Sequence, residues 1–285
     1  MAGQKTTLDI LKEYNIKPRK ALGQNFLIDD NINRFIVESL ELENDDLVLE
    51  IGAGLGELVD LMKDEAGLVL ALEIDRGLNA LLEEKFQSEK KVRVLNEDIL
   101  KCDLGGLIKK YNFKQAIIVG NLPYYISSPI IFHLIKYRQI ISKVIIMIQK
   151  EVAQRIVAKV GCKDYGILSC LLDYYSEKKI IKIVKSSCFF PRPKVDSAII
   201  ELSFYKNPPI KVKSEDFFKN VVKTTFSQRR KTITNTLSLI NELSLSKQEL
   251  SAILENMEIN PASRPEQLSV AEFACIANRL YSMRS

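Results

Sequence analysis

Between residues 46 and 62 the chain reads DLVLEIGAGLGELVDLM, a short apolar run, a glycine turn and an amphipathic stretch with helical spacing. A hydrophobic period that changes at a glycine turn marks a strand running into a helix, one half of a parallel βαβ unit. The pattern recurs. LVLALEID (68–75) precedes RGLNALLEEKF, KVRVLNEDI (91–99) gives another strand, and QAIIVGNLPY (115–124) a fourth before a helix around 130–138. SKVIIMIQ and EVAQRIVAKV make a fifth unit. After a helix near 165–175, KKIIKIVK and VDSAIIELSFY predict two strands close in sequence, an antiparallel pair at one sheet edge, for a total of seven strands. The fold class is therefore α/β.

The first ten residues look loosely ordered, and DDNINRFIVESL reads as a helix opened by Asp29 or Asp30, with Ile32, Phe35, Ile36 and Leu40 on one face. YKNPPIKVKSE, with its adjacent prolines, is the best linker, and beyond it lie only helical patterns: EDFFKNVVKTTF, a basic turn, KQELSAILENM and SVAEFACIANRLYS. The expected organisation is an α/β domain over 1–205 and a small all-helical domain over 206–285.

Composition removes several classes. With 46% hydrophobic and 27% charged residues, the chain is a globular protein rather than a disordered or collagenous one. Five scattered cysteines, Cys102, Cys162, Cys170, Cys188 and Cys275, are odd in number and lack C-x-x-C spacing, so they read as reduced thiols rather than a disulfide framework or a zinc knuckle. With no long apolar span and no signal-peptide core around Lys5, Asp9, Lys12 and Glu13, a cytoplasmic, membrane-free protein is expected. The one histidine, His133 in PIIFHLIKY, sits among apolar residues at helical spacing and reads as a packing residue. A His-rich metal site is therefore not expected.

The net charge of +5 is concentrated late in the chain, where residues 206–285 hold 12 basic and 8 acidic side chains. Lys206, Lys211, Lys213, Lys219, Lys223, Arg229, Arg230 and Lys231 face only Glu215 and Asp216 within 206–231, a density that suits a polyanion. Lys17, Arg19 and Lys20 form a second basic cluster.

Candidate chemistry gathers at the ends of the strands. Glu50-Ile51-Gly52-Ala53-Gly54-Leu55-Gly56 joins the first strand to its helix with G-x-G-x-G spacing, so the G-x-G-x-x-G of a dinucleotide site is not met. The next strands end in Glu73, which can accept from a ribose diol, and Asp98, which can accept from an adenine amine. Either acid alone reads equally well as a helix cap or solvated turn; loop, acid and acid in succession point to a nucleotide-type ligand. This arrangement resembles the class I S-adenosylmethionine-dependent methyltransferases. The resemblance implies a Rossmann-like seven-stranded sheet with one reversed strand and S-adenosylmethionine laid over Gly52, Glu73 and Asp98.

Asn121-Leu122-Pro123-Tyr124 follows the fourth strand. The Asn121 carboxamide oxygen and the Leu122 carbonyl, kept out of a helix by Pro123, can together accept both N–H bonds of an adenine amine. Tyr124 can stack on an extruded base. With this tetrapeptide, G-Q-N-F-L at 23–27, E-I-G-A-G-L-G at 50–56 and F-F-P-R-P-K-V-D-S at 189–197, the chain resembles the ribosomal RNA adenine dimethyltransferase family, small-subunit (KsgA/RsmA) type. The resemblance covers nearly the whole chain. It implies dimethylation of two adjacent adenines near the 3′ end of 16S rRNA in the small (30S) subunit or its precursor, by a monomer that needs no metal. It also implies that Asn25 and Leu27 touch the methionine part of the cofactor, that Gly52 lines the same region, that Glu73 holds the ribose and Asp98 the adenine, and that Asn121 bridges cofactor and target. Phe189 and Phe190 are both candidates for the second face of the base. Lys223, Arg229, Arg230 and Lys231 are candidates for RNA contact. Rival readings are a 23S rRNA methylase giving macrolide resistance, a mainly non-catalytic subunit-assembly factor, and a small-molecule methyltransferase, against which the basic segment argues.

Overall fold

The computed structural model describes residues 7–14, 16, 18, 19, 22–240 and 242–284. Lys5, Lys17 and Lys20 lie outside the described residues, and Arg19 is the described member of the early basic cluster. In chain order the elements are α1 (Thr7–Glu13), β1 (Phe26–Leu27), α2 (Asp30–Leu40), β2 (Leu47–Ile51), α3 (Glu57–Met62), β3 (Leu68–Leu72), α4 (Arg76–Phe86), β4 (Val92–Leu95), α5 (Leu104–Lys110), β5 (Ala116–Asn121), α6 (Ser127–Lys136), β6 (Ile141–Gln149) and α7 (Lys150–Ile156). They continue with α8 (Ile167–Tyr175), β7 (Ser176–Val184), β8 (Phe189–Phe190), β9 (Ser197–Phe204), α9 (Glu215–Ser227), α10 (Ile233–Leu237), α11 (Lys247–Glu255) and α12 (Val270–Tyr281). Residues 7–10 begin a helix where the sequence suggested loose chain.

Seven strands form one sheet in the order β4-β3-β2-β5-β6-β9-β7. β2 pairs parallel with β3 and β5, β3 with β4, and β5 with β6, whereas β9 runs antiparallel to β6. The apolar strands are continuous because both faces are covered. Val48, Val69, Ala71, Val119, Ile145, Met147 and Ile199 share one core with Ile36 and Leu40 of α2, Val59 and Met62 of α3, and Leu82 and Phe86 of α4. Their neighbours on the opposite face, Leu49, Leu70, Ile118 and Ile146, are equally buried. Chain order reverses at β2, with β3 on one side and β5 on the other. Open α/β sheets bind ligands outside the strand ends at such a switch point.

Helix starts follow the capping residues in the sequence. Asp29 caps α2 by accepting from the Asn31 and Ile32 N–H groups, and Asp75 caps α4 through Gly77 and Leu78. Ser246 with Glu249 and Ser269 with Glu272 form capping boxes on α11 and α12.

Residues up to Ala153 together with Lys179–Lys206 form one compact unit, and Gln154–Lys178 with the residues from Asn207 on form the other. A single cut after residue 205 therefore misplaces the segment that contains α8. The reason lies in its packing: the Tyr174 ring sits 4.6 Å from Phe218, Tyr165 sits 6.0 Å from Phe226, and the Tyr175 hydroxyl donates to Glu215 at 2.9 Å. Inside this second unit Phe218, Val221, Phe273 and Ile276 are buried.

Candidate active site

The cleft at the switch point is lined by the loop at 22–27, the β2 turn at 50–58, Glu73 and Ile74 after β3, and Asn121 to Tyr124 after β5, with Asn33 and Ile36 of α2 and Leu78 of α4 completing the wall. A second hollow, lined by Glu97, Asp98, Ile99, Tyr125, Ile126 and Ile130, shares Leu22, Gly52, Ile74 and Pro123 with the first. Every residue assigned to the cofactor from the sequence borders one of the two. Asn25, Leu27, Gly52, Glu73 and Asn121 line the first, and Asp98 lines the second.

The three glycines of the β2 turn have different reasons to be there. Gly52 has φ +73° and open space where a Cβ would stand, so the ligand side of the turn is bare backbone. At Gly56, φ +77°, a Cβ would lie 2.7 Å from the Phe86 ring and 2.9 Å from Leu82, so this glycine lets α4 approach the turn. Gly54 donates its N–H to Glu73 Oε2 at 3.0 Å.

The other Glu73 oxygen accepts the Asp75 N–H at 2.8 Å. Two backbone donors fix the carboxyl plane and leave each oxygen a lone pair for a ligand. Burial pushes the Glu73 carboxyl up, against the pull of the Asp75 and Gly54 N–H groups. Glu50, 3% exposed, also lines the cleft, and its Oε2 has no hydrogen-bond partner among the described residues. Burial, with Glu57 and Glu73 nearby, raises its carboxyl well above the usual range. Sequence reading passed over Glu50 as part of the glycine motif. Asp98 takes the Leu100 N–H at 3.0 Å, as a turn cap does, while its side chain faces the second hollow.

On the far side of the cleft Asn121 donates Nδ2–H to the Asn25 carbonyl at 2.9 Å, which turns its carboxamide oxygen into the free acceptor. Asn25 in turn donates its own Nδ2–H to the Gly23 carbonyl at 3.0 Å. Leu122 is buried and donates its N–H to the Met147 carbonyl at 3.0 Å, while the next turn begins at the Pro123 carbonyl, which accepts from Ile126. Tyr124 is half-buried, and its hydroxyl meets Ser197 Oγ at 2.6 Å.

β1 and β8 pair antiparallel, Phe26 opposite Phe190 and Leu27 opposite Phe189, so the G-Q-N-F-L and F-F-P-R-P-K-V-D-S segments are hydrogen-bonded neighbours. Phe189 is 3% exposed and belongs to the core, whereas Phe190 is 40% exposed. Neither ring is among the residues lining the cleft shared by Asn121 and Tyr124, where the other aromatic side chain is Phe26.

The basic side chains divide. Arg229 donates to the carbonyls of Lys163 and Tyr165 at 2.6 and 2.8 Å, which makes it a clamp inside the second unit. Lys223, Arg230 and Lys231 are exposed. Arg19 pairs with Asp75 at 3.1 Å while most of its side chain stays exposed. His133 is buried with Nε2 at 3.1 Å from the Cys102 carbonyl, and burial lowers its pKa. Among the described residues no group of His, Cys, Asp or Glu is arranged to hold a metal ion, and no helix is long and apolar enough to cross a membrane.

A family model described as ribosomal RNA adenine dimethylase matches residues 15–281. The chain belongs to this family. It is 41% identical over 279 residues to the ribosomal RNA small subunit methyltransferase A of Geobacillus sp. (strain WCH70), covering 96% of this chain and 95% of that one. To the protein of the same name from Clostridium botulinum (strain Loch Maree) it is 39% identical over 277 residues, 97% of this chain and 99% of the other. Among solved structures, a dimethyladenosine transferase from Plasmodium falciparum matches with TM-score 0.73 and 26% identity, over 87% of this chain and 94% of that one. The 23S rRNA methyltransferase ErmE matches with TM-score 0.67 and 25% identity, over 90% and 99%. The family thus carries the class I methyltransferase fold, and that fold is common to enzymes named for either ribosomal subunit.

Proposed function

We propose that this chain dimethylates the exocyclic amines of two adjacent adenines near the 3′ end of 16S rRNA in the small ribosomal subunit or its precursor, using S-adenosylmethionine, late in subunit biogenesis. The observation that carries the reading is the orientation of Asn121. Its Nδ2 donates to the Asn25 carbonyl, which leaves the carboxamide oxygen as an acceptor in a residue that lines the cleft together with Leu122. Two acceptors on one amine favour a pyramidal nitrogen over the planar conjugated one, and so bind the transition state better than the ground state. Tyr124 supplies an aromatic face for a base taken out of its stack.

The cleft suits the cofactor on its own chemistry. Bare backbone at Gly52 admits a ligand, Glu73 offers a fixed acceptor for vicinal hydroxyls, and Asp98 offers one for an amine in the adjoining hollow. Glu50, Glu57 and Glu73 crowd the same cleft, an environment that a cationic ligand relieves. Bound there, S-adenosylmethionine supplies a methyl group activated by a sulfonium. Asn25 and Leu27 close the methionine side. The first unit is the catalytic one, and Lys223, Arg230 and Lys231 of the second contact RNA. The small-subunit substrate is favoured over the large by the names of the relatives near 40% identity.

The test is transfer of labelled methyl groups to small and large subunits lacking their modifications, with the labelled nucleoside identified by mass spectrometry. Dimethyladenosine in the small subunit alone is the expected result. Label in the large subunit assigns the chain to the other branch, and tight subunit binding without label assigns it to assembly.

A further inference from the structure

The P-K-V-D-S segment reaches the Asn-Leu-Pro-Tyr turn through one side chain. Ser197 opens β9, is fully buried, and has its backbone in the ladder opposite Gln149. The residue before it is pinned from two directions: the Asp196 carboxylate accepts from the Ser186 N–H at 3.0 Å and from Lys185 Nζ at 3.3 Å, and its carbonyl accepts the Lys150 N–H at 3.0 Å. From this fixed point the Ser197 hydroxyl meets the Tyr124 hydroxyl at 2.6 Å. The backbone end of Tyr124 is held separately, its carbonyl accepting from Ser127 Oγ at 3.2 Å.

A tyrosine ring turns about two side-chain torsions. The first swings the whole ring and the second spins it about the axis that carries the hydroxyl oxygen, so a side chain held at its backbone and at its hydroxyl has one place left to stand. We propose that Ser197 is a positioning residue of the methyl-transfer site: it holds the Tyr124 ring at the place where the extruded adenine is received. The inference rests on the reading of Tyr124 as the stacking face. Base extrusion sacrifices stacking inside the RNA, and a ring already in place returns it without a further loss of side-chain freedom. Without the tether the ring divides its time among orientations, and the apparent affinity for the flipped base falls by the competent fraction. The short P-K-V-D-S sequence thereby belongs to the base site through a hydroxyl, although no atom of Ser197 lines the cleft.

Four full-length proteins test this: wild type, Ser197→Ala, Tyr124→Phe and the double variant. Methyl transfer to unmodified small subunits gives kcat and KM, and 2-aminopurine at the target position of an RNA hairpin reports extrusion by its fluorescence. Calorimetry gives the affinity for S-adenosylmethionine. Losing one hydrogen bond that orients the ring, Ser197→Ala lowers kcat about three- to tenfold and dims the fluorescence response. Cofactor affinity stays unchanged. Tyr124→Phe falls by the same factor, and the double variant falls no further, because both changes remove the same bond. An unchanged kcat in Ser197→Ala overturns the proposal, as do additive losses in the double variant. A loss of cofactor affinity parallel to the loss of kcat also overturns it, since that is the mark of general destabilisation. Absence of transfer by the wild type overturns the reading of the whole site, a result distinct from all of these.

Discussion

Asn121 at the end of β5 holds the loop that enters β1, through its Nδ2–H to the Asn25 carbonyl at 2.9 Å. In the proposed site one carboxamide therefore has two tasks, its nitrogen fastening a loop and its oxygen accepting from the target amine. Asn121→Ala removes both. Methyl transfer is expected to fall by about a hundredfold or more, the scale seen when an oriented polar group at a reacting centre is lost. Cofactor affinity, assigned in the proposed site chiefly to Glu73 and the β2 turn, is expected to stay largely intact. Single-turnover transfer and calorimetry on one preparation check both halves.

Gly52 and Gly56 separate ligand binding from packing. Both have left-handed φ, so alanine strains either by roughly 1–2 kcal/mol. Gly56→Ala in addition drives a methyl into Phe86 and Leu82 and is expected to cost about 1–3 kcal/mol more, read as a lower melting temperature. Gly52→Ala meets no protein atom, and its effect is expected as weaker S-adenosylmethionine binding in calorimetry.

Within the basic turn, Arg229 and its two neighbours are expected to behave differently. Arg230→Ala with Lys231→Ala flattens the salt dependence of RNA binding by about one unit of logarithmic slope for each phosphate contact removed. Arg229→Ala leaves that slope unchanged and lowers stability by about 1–3 kcal/mol, because two backbone carbonyls lose a charged donor. Anisotropy titrations across salt concentrations, together with urea unfolding, resolve the two patterns.

The buried Glu50 carboxyl makes stability depend on pH. Its folded pKa lies above the ordinary 4.5, raised by burial and then by Glu57 and Glu73. The folded protein therefore binds the proton more tightly than the unfolded chain does. This contribution to stability is complete below the unfolded value and is lost as pH rises toward the folded one. Glu50→Gln is expected to melt higher than wild type at pH 8, with the gap closing toward pH 4.5. Thermal melts over that range measure it.

How far the fold and the site could be read in advance depended on length and pattern. Strands β2, β3, β5 and β6 announce themselves as mainly apolar runs and β4 as the alternating V-R-V-L, and Asp29 marks its helix because a short acid before an apolar period is a cap. The β1–β8 ladder has two residues on each side, too few for any period, so the contact between its two motifs stayed hidden until the chain was folded. Helix α10 is a five-residue turn rich in threonine, which carries no helical signal. Residues 154–178, read from the sequence as the end of one helix and the whole of the next within the α/β domain, belong to the helical unit, and what allots them to it is aromatic packing against Phe218 and Phe226. Asn121 and Glu73, which line the cleft, and Asp98, which lines the adjoining hollow, stand out in the sequence because each comes at or just after the end of a strand. Ser197 does not, since a serine opening a strand shows nothing of the tyrosine it will meet.

The position of β9 bears on the order in which a growing chain can become an enzyme. It is the last strand in sequence, yet it lies between β6 and β7. Until residues 197–204 have emerged from the ribosome, β6 and β7 have no strand between them and the Tyr124 hydroxyl has no serine to meet. Chains are made from the N-terminus. The glycine turn and Glu73 are thus synthesised long before the target-base site can be completed, and a truncated product ending ahead of β9 keeps the cofactor-side residues while lacking the piece that steadies the base.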